Sequence, residues 1–501
     1  MSSEAQRRAR RLNRRHPMLV VMLLATTALV WLARQNREEI GVASFNVAPE
    51  VWVPYVPDGE MLESTWFCPG VPASGETDVG GAVVVTNTGD QSTAARVTFL
   101  SDSAAARTKI VEIPAFDRVQ VDVDAEQQGT FVATTVELLG GGGLVEQRAF
   151  YPTSSGLGQS VSACSTTLSS EWYLAEGYTV DLAQQFVLLS NPSADQVVVD
   201  VAFHTSAGLM EPSAYTGLPV NPYSVRVIDV GVEGGGARGE ASVGVSVRAA
   251  RGALMVGRSM TANDDRRGGS SVSMGAPLTA DRWWFADGLR GPEVTERFSV
   301  MNPTDGTVSV IATFFPSGEI DESMSTGVTT TVDIPSDDVI VVDAGSLAAL
   351  PEGNHSVVFS TLDGRSIVVD RALTRVSESG LKVTSVSPGV PERQDGLLPT
   401  SWLIPAAPSV EVSGGAVLLN LDDVEQEVTV STYGSNGLVE VGSSSRFTVP
   451  AASQRLIDLT EIGLLGRPVV ISSSGRAIVE RRVPSGDSFS NAWAIAGMPC
   501  C

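Results

Sequence analysis

Residue types able to do chemistry are sparse in this chain of 501 residues. It has three histidines, His16, His204 and His355, and four cysteines, Cys68, Cys164, Cys500 and Cys501. A Ser-His-Asp hydrolase would have to use His204 or His355. Neither is joined to a Gly-x-Ser-x-Gly turn between a strand and a helix, and both read as exposed strand-end residues. No histidine lies near a cysteine pair, so no zinc spacing exists. Gly140 to Gly143 is followed by no Lys-Ser and no helix, and reads as a hairpin loop, not a phosphate cradle. Three acid pairs, Asp264-Asp265, Asp337-Asp338 and Asp422-Asp423, have the chemistry of calcium ligands or glycosidase carboxylates. They fall in turns without EF-hand spacing, where neighbouring side chains diverge into solvent. No catalytic, cofactor-binding or metal-ligating residue is expected.

Aromatic faces are the remaining candidates, because Trp and Tyr rings stack on sugars. Of the eight Trp, four recur at regular places (below) and read as core anchors. Trp52, Trp283 and Trp493 break that pattern and are the candidate glycan contacts.

The elements that would carry these residues are repeated. Trp172-Tyr173-Leu174-Ala175-Glu176-Gly177 is echoed by Trp283-Trp284-Phe285-Ala286-Asp287-Gly288, by Trp66-Phe67-Cys68-Pro69-Gly70 and by Trp402-Leu403-Ile404-Pro405. With openers at Trp66, Trp172, Trp284 and Trp402 the separations are 106, 112 and 118 residues, the size of a small domain and far beyond a propeller blade. Behind each opener comes an apolar strand ending in Asn87, Asn191, Asn302 or Asn420, then a turn and a strand of alternating pattern, read as a hairpin. A Pro then precedes a further strand, at Pro114, Pro219, Pro335 and Pro450, and a closing pair of strands follows, such as Ser242 to Val247 with Leu254 to Met260. Six or seven short Val-, Ile- and Thr-rich strands per unit with no sustained helical period imply an all-β chain of four tandem immunoglobulin-like or fibronectin-like β-sandwich domains. The expected boundaries are 63–168, 169–279, 280–397 and 398–501.

Upstream, residues 1–16 form an Arg-rich head with six arginines, 17–34 a single membrane segment built on the charge-free run Met18 to Ala33, and 35–62 a linker. A basic flank before an apolar run is an export signal that keeps the N-terminus in the cytoplasm. Sixteen residues of helix span about 24 Å, short of a hydrocarbon core of about 30 Å, so length alone leaves a retained anchor and a cleaved signal both open. Small residues for cleavage are poorly placed, which favours the anchor.

Composition agrees with life outside the cytoplasm. The chain has 34 basic and 57 acidic side chains; residues 1–37 hold eight Arg and Glu4, leaving 26 and 56, a net of -30, for residues 38–501. Such a surface repels nucleic acid and anionic head groups. Cys68 and Cys164 fall near the first and last strands of one unit, and export favours their oxidation; closing about 97 residues would stabilise by roughly 4–5 kcal/mol. The alternative is a pair of buried thiols. Adjacent Cys500 and Cys501 form only a strained ring, so an oxidised pair would be intermolecular.

The Trp-Tyr-Leu-Ala-Glu-Gly opener, the Asn-Pro turn, the Val-Ile-Asp-Val strand and Gly257-Arg258-Ser259-Met260 look like a repeat of exported bacterial proteins. With the Arg-rich head, the apolar run and the two early cysteines, the chain resembles a family of actinobacterial membrane-anchored proteins defined by a domain of unknown function. Unit four departs from the pattern, with Ile404-Pro405 where the others have Ala-Glu/Asp-Gly. The resemblance implies a cell-membrane protein with its C-terminal part outside, and brings no activity, catalytic residue or cofactor. The expected function is a structural or interaction protein of the cell envelope, with envelope proteins or cell-wall polysaccharide as partners and no catalysis. A glycan-binding array is the alternative.

Overall fold

The structure, a computed structural model, describes residues 63–497 except 141, 153–154, 234, 318–326, 393–397, 406–413, 435–436, 465–466 and 486–487. The Arg-rich head, the apolar run, Trp52, Cys500 and Cys501 lie outside these residues. Among the described residues no helix is long and apolar enough to cross a membrane.

The described residues form an all-β fold, eight antiparallel sheets in β-sandwich-like pairs. In the first segment the strands are β1 (Glu63–Ala73), β2 (Gly80–Asn87), β3 (Thr93–Ser101), β4 (Arg107–Ile113), β5 (Arg118–Asp122), β6 (Gly129–Leu139), β7 (Gly143–Phe150) and β8 (Gln159–Ala163). One sheet runs β1-β6-β3-β4 and the other β5-β2-β7-β8. The same orders recur three times more, with Gly268–Met274, Lys382–Pro388 and Ser488–Trp493 in the place of β8. The third and fourth segments each add a short strand, Val390–Glu392 and Ile495–Ala496, beside the opener strand.

Between the two sheets of each pair lies an apolar layer anchored by Trp66, Trp172, Trp283 and Trp402, all 0% exposed. Burying an indole of about 200 Å² at about 25 cal/mol per Å² is worth about 5 kcal/mol each. The third opener is therefore Trp283, not Trp284, and the separations are 106, 111 and 119 residues. Alternate residues of a strand face opposite sides, so a register error of one moves a residue from core to outer face. Trp283 donates to the carbonyls of Ala280 and Ile367, as Trp172 does to those of Ser169 and Leu254. Trp284, on the other face, is half-buried and donates to Glu392 at 2.6 Å.

The turn after the apolar strand is not a hairpin. β2 and β3 belong to different sheets, so the chain arches from one layer to the other, and the Asn holds the arch. Asn302 Nδ2 donates to Gly306, Ile334 and Pro335 carbonyls at 2.8, 3.0 and 2.9 Å. Asn87, Asn191 and Asn420 make the same three bonds. In the second segment the third acceptor is Asn221, which holds the place of Pro114, Pro335 and Pro450; Pro219 lies two residues upstream of it. Turn chemistry alone cannot separate an arch from a hairpin, since both need a residue whose side chain satisfies backbone groups. The Gly140–Gly143 connection likewise joins β6 to β7 across the two sheets, and the closing strands Gly244–Arg251 and Met255–Asn263 lie in different sheets.

Candidate functional site

The residues singled out for chemistry are scattered and mostly internal. His204 and His355 are 2% and 1% exposed, not the surface residues their positions near strand ends implied, because the next segment or a neighbouring strand covers them. His204 meets the Asp337 carbonyl at 2.8 Å through Nδ1 and Ser246 Oγ at 3.0 Å through Nε2. Burial holds its imidazole below the usual histidine range against the pull of the Asp337 carbonyl. His355 Nε2 lies 2.7 Å from Oε2 of Glu296, which has Arg371 3.8 Å from its Oε1, and Phe314 stands beside the imidazole. His204 has a hydroxyl on Nε2 but a backbone carbonyl, not a carboxylate, on Nδ1, and His355 has a carboxylate on Nε2, so neither shows the Ser-His-Asp order of partners.

Trp283 is core, as above, and Trp493 is 6% exposed, so neither offers the open ring face that sugar stacking needs. Two acid pairs stay in turns, where Asp264 accepts the Arg266 and Arg267 amides and Asp422 pairs with Arg476 at 2.8 Å, while of the third Asp338 opens the strand Asp338–Asp343. Among the described residues no group of three or more His, Cys, Asp or Glu is arranged to hold a metal ion. Cys68 and Cys164 form a disulfide that ties β1 to the end of β8.

What recurs with polar chemistry is the joint between successive segments. In the β8 strand and its three counterparts the sequence reads Ser160-Val161-Ser162-Ala163, Ser271-Val272-Ser273-Met274, Ser385-Val386-Ser387-Pro388 and Ser490-Asn491-Ala492-Trp493. The four strands meet about one axis. Ser160 Oγ accepts the Val272 amide at 2.9 Å, Ser271 Oγ the Val386 amide at 2.9 Å, and Ser385 Oγ the Asn491 amide at 2.8 Å. Ser490 Oγ completes the circuit at 3.5 Å from the Gln159 carbonyl. A narrow cavity of about 20 Å³ on the axis is lined by the ends of these strands, Trp493 included. That volume is about one water, so the axis is packed, not a channel.

A ring of buried charges surrounds the axis. Arg258, Arg371 and Arg481 occupy equivalent places, as do Glu146, Asp370 and Glu480 one residue upstream of the arginine position. Arg258 pairs with Asp370 at 2.9 Å, Arg371 with Glu480 at 3.1 Å and Arg481 with Glu146 at 2.7 Å, each bridge crossing from one segment to the next. The last of them brings the fourth segment back to the first. Burial alone would raise Glu146, but Arg148 and Arg481 overcome it and hold the carboxyl below its ordinary range. At Asp370 and Glu480 burial outweighs the single arginine, and both carboxyls lie above theirs.

The opener acid serves this ring. The Glu176 amide donates to Asp370 at 3.0 Å and its carbonyl accepts from Arg258; the Asp287 amide donates to Glu480 at 2.6 Å and its carbonyl accepts from Arg371. The side chains reach the next segment too, Glu176 taking Ser299 Oγ at 2.5 Å and Asp287 taking Asn491 Nδ2 at 2.8 Å. Gly177 and Gly288 follow because a Cβ there would stand 2.2 Å from the Val243 carbonyl oxygen or 2.5 Å from His355 Nε2. The Glu/Asp-Gly end of the motif is thus a joint, while Ala175 and Ala286 belong with the aromatic half to the core.

One joint lacks the ion pair, and lacks both partners at once. Gln147 stands where the others have arginine, and Gly257 stands where they have an acid. Pro69 fills the vacated space, lying 2.3 Å from where a Cβ of Gly257 would be. Removing both charges avoids the cost of one buried and unpaired. Aromatic contact replaces the pair, with Phe131 and Phe186 5.3 Å apart between centroids.

These groups were missed in sequence because an arginine in an apolar strand reads as a surface residue. Its recurrence in the same strand of three units, 67, 69 and 61 residues behind Asn191, Asn302 and Asn420, is the signal that would have found it.

No family model and no curated protein matches the chain. Among solved structures, it is similar to Thermotoga maritima 1070 (18% identity, 23% of this chain and 96% of that one, TM-score 0.20). It is also similar to a tetra-tandem repeat in the extending region of a large adhesion protein (12% identity, 85% and 99%, TM-score 0.11). A third likeness is to Broad Bean Stain Virus (11% identity, 71% and 97%, TM-score 0.12). Likenesses at these scores bear on neither the fold nor the function.

Proposed function

We propose that the chain is a single-pass protein of the bacterial cell membrane whose four tandem immunoglobulin-like or fibronectin-like domains lie outside and act together as a scaffold or interaction platform of the envelope, without catalysis. The observation that carries this reading is the return of the last domain onto the first through Arg481 and Glu146, both under 3% exposed at the side chain. Domains joined by flexible linkers need no such buried charges. Their presence at three of four joints makes the four domains one body that presents a fixed outer surface. What is repeated is core, arch and joint, which is structural information.

The export reading rests on the arginine flank and apolar run, and the resemblance to actinobacterial anchored proteins on the opener and arch motifs. A net charge of -30 outside the N-terminal region disfavours nucleic acid as a partner. Envelope proteins are the partners such a platform would hold, with cell-wall polysaccharide the alternative.

The test is affinity capture with the full chain in detergent, run in parallel against solubilised envelope proteins and isolated wall polysaccharide. Reproducible capture of specific membrane proteins, reduced when Glu146→Ala loosens the closure, is the expected result. Capture of neither class would sink the proposal.

A further inference from the structure

We infer that the outer face of the second segment, where it meets the third, is a binding trough for a neutral saccharide. The inference goes beyond the scaffold reading and does not depend on it. The trough holds about 330 Å³, at the small end of ligand sites. Its construction follows from strand register. Ala202, Ser246 and Tyr173 sit side by side on three adjacent strands, and the next row is Asp200, Arg248 and Glu171. Two small side chains in one row leave a depression beside the aromatic ring, and the charged row closes one end. At the other end the third segment contributes Pro303 and Asp337, fixed in place by the bond from His204 to the Asp337 carbonyl.

The lining has both halves of sugar chemistry. Leu209, 42% exposed, and Pro303 offer apolar surface for the C–H face of a pyranose, while Tyr173, 7% exposed and bonded through its hydroxyl to Glu171 at 3.1 Å, contributes only a small part of its side chain to the wall. Asp200 and Arg248 stand directly opposite each other across two strands without pairing, Arg248 bonding Glu171 at 3.2 Å and Asp200 accepting the Gly217 amide at 2.6 Å. A carboxylate and a guanidinium spaced by one strand can accept from and donate to neighbouring hydroxyls. Asp200, Glu211 and Asp337 outnumber the single arginine, which disfavours an anionic sugar.

The fold does not demand this arrangement. In the third segment the residue matching Tyr173 is Trp284, and Glu392 on the appended strand bonds its indole. The positions matching Asp200 and Arg248 there are Ile311 and Ser360.

The test is titration of the full chain in detergent with neutral oligosaccharides of four to eight residues (arabinan, galactan, mannan and glucan), read by calorimetry at 50 mM and 500 mM salt. Saturable binding to at least one of them, little changed by salt and weakened at least tenfold by Asp200→Ala and by Ser246→Trp, is expected. Ser246→Trp fills the depression, and an unchanged thermal transition keeps its effect separate from misfolding. Binding by none of the four, binding indifferent to both variants, or binding that disappears in high salt overturns the inference.

Discussion

Arg481 and Glu146 are 335 residues apart in sequence and meet at 2.7 Å with both side chains buried. A contact of that sequence separation is expensive in chain entropy and forms only when the intervening segments have assembled. Removing one partner leaves an uncompensated buried charge, which costs about 3–5 kcal/mol, whereas removing both together is far milder. Glu146→Ala orphans both Arg481 and Arg148 and is therefore expected to lower stability by about 4 kcal/mol or more, whereas Arg481→Met leaves Glu146 paired with Arg148 and should cost less. The double variant should cost less than the sum of the two. Denaturant unfolding of the three variants checks this, and additive losses would refute the pairing.

The buried carboxylates should differ in their response to acid. Glu146 has its folded pKa lowered, so its contribution is present above its unfolded value of 4.5 and is lost as pH falls through the folded one. Asp370 has its folded pKa raised, so its contribution is present below its unfolded value of 3.8 and is lost as pH rises through the folded one. Glu146→Gln should then make the acid limb of a stability profile shallower, and Asp370→Asn should make it steeper. Thermal melting between pH 3 and 7 separates the two slopes; parallel shifts would contradict both assignments.

The β-rich architecture, the four-fold repeat and the Cys68–Cys164 bond were legible because each rests on local pattern or on the placement of two cysteines near the first and last strands of one unit. The joints were not. The strand ending in Asn87 read as apolar, and all eight residues of β2 are buried, because its outer side is covered as well. Periodicity tells that a strand is buried on both sides and says nothing of what covers the second side. In the same way Trp283 and Trp284 are equally good anchors by type, and only the partner strand decides between them. Among the glycan candidates, Trp283 and Trp493 failed because aromatic type does not encode exposure.

Asn302 spends its amide on three carbonyls and its Oδ1 on the Thr304 amide at 3.0 Å, at 0% exposure. Asn302→Ala orphans several buried backbone groups at once, each worth about 1–3 kcal/mol if no water enters. A loss of about 3 kcal/mol is expected. Asn302→Asp should be at least as harmful, since it points a second acceptor at three acceptors. Unfolding curves that place Asp between Asn and Ala would show that the arch is held by shape and not by these bonds.

Two residues past each of the acceptor positions Pro114, Asn221, Pro335 and Pro450 the chain turns with positive φ, at Phe116 (54°), Tyr223 (49°), Asp337 (57°) and Ala452 (48°). For an L-residue the left-handed region costs about 1–2 kcal/mol, and glycine avoids that cost while losing about 0.5–1 kcal/mol of extra chain entropy. The side chain then decides the sign of a glycine substitution. Phe116 stacks on Tyr433 of the last segment, with centroids 5.9 Å apart, and helps hold the closure, so Phe116→Gly should destabilise. Ala452 is exposed and its methyl has little to lose, so Ala452→Gly should raise stability by about 0.5 kcal/mol. The comparison needs only two melting curves. If both variants fell by the same amount, backbone strain would be negligible at this turn and the recurrence of positive φ would follow from the arch bonds alone.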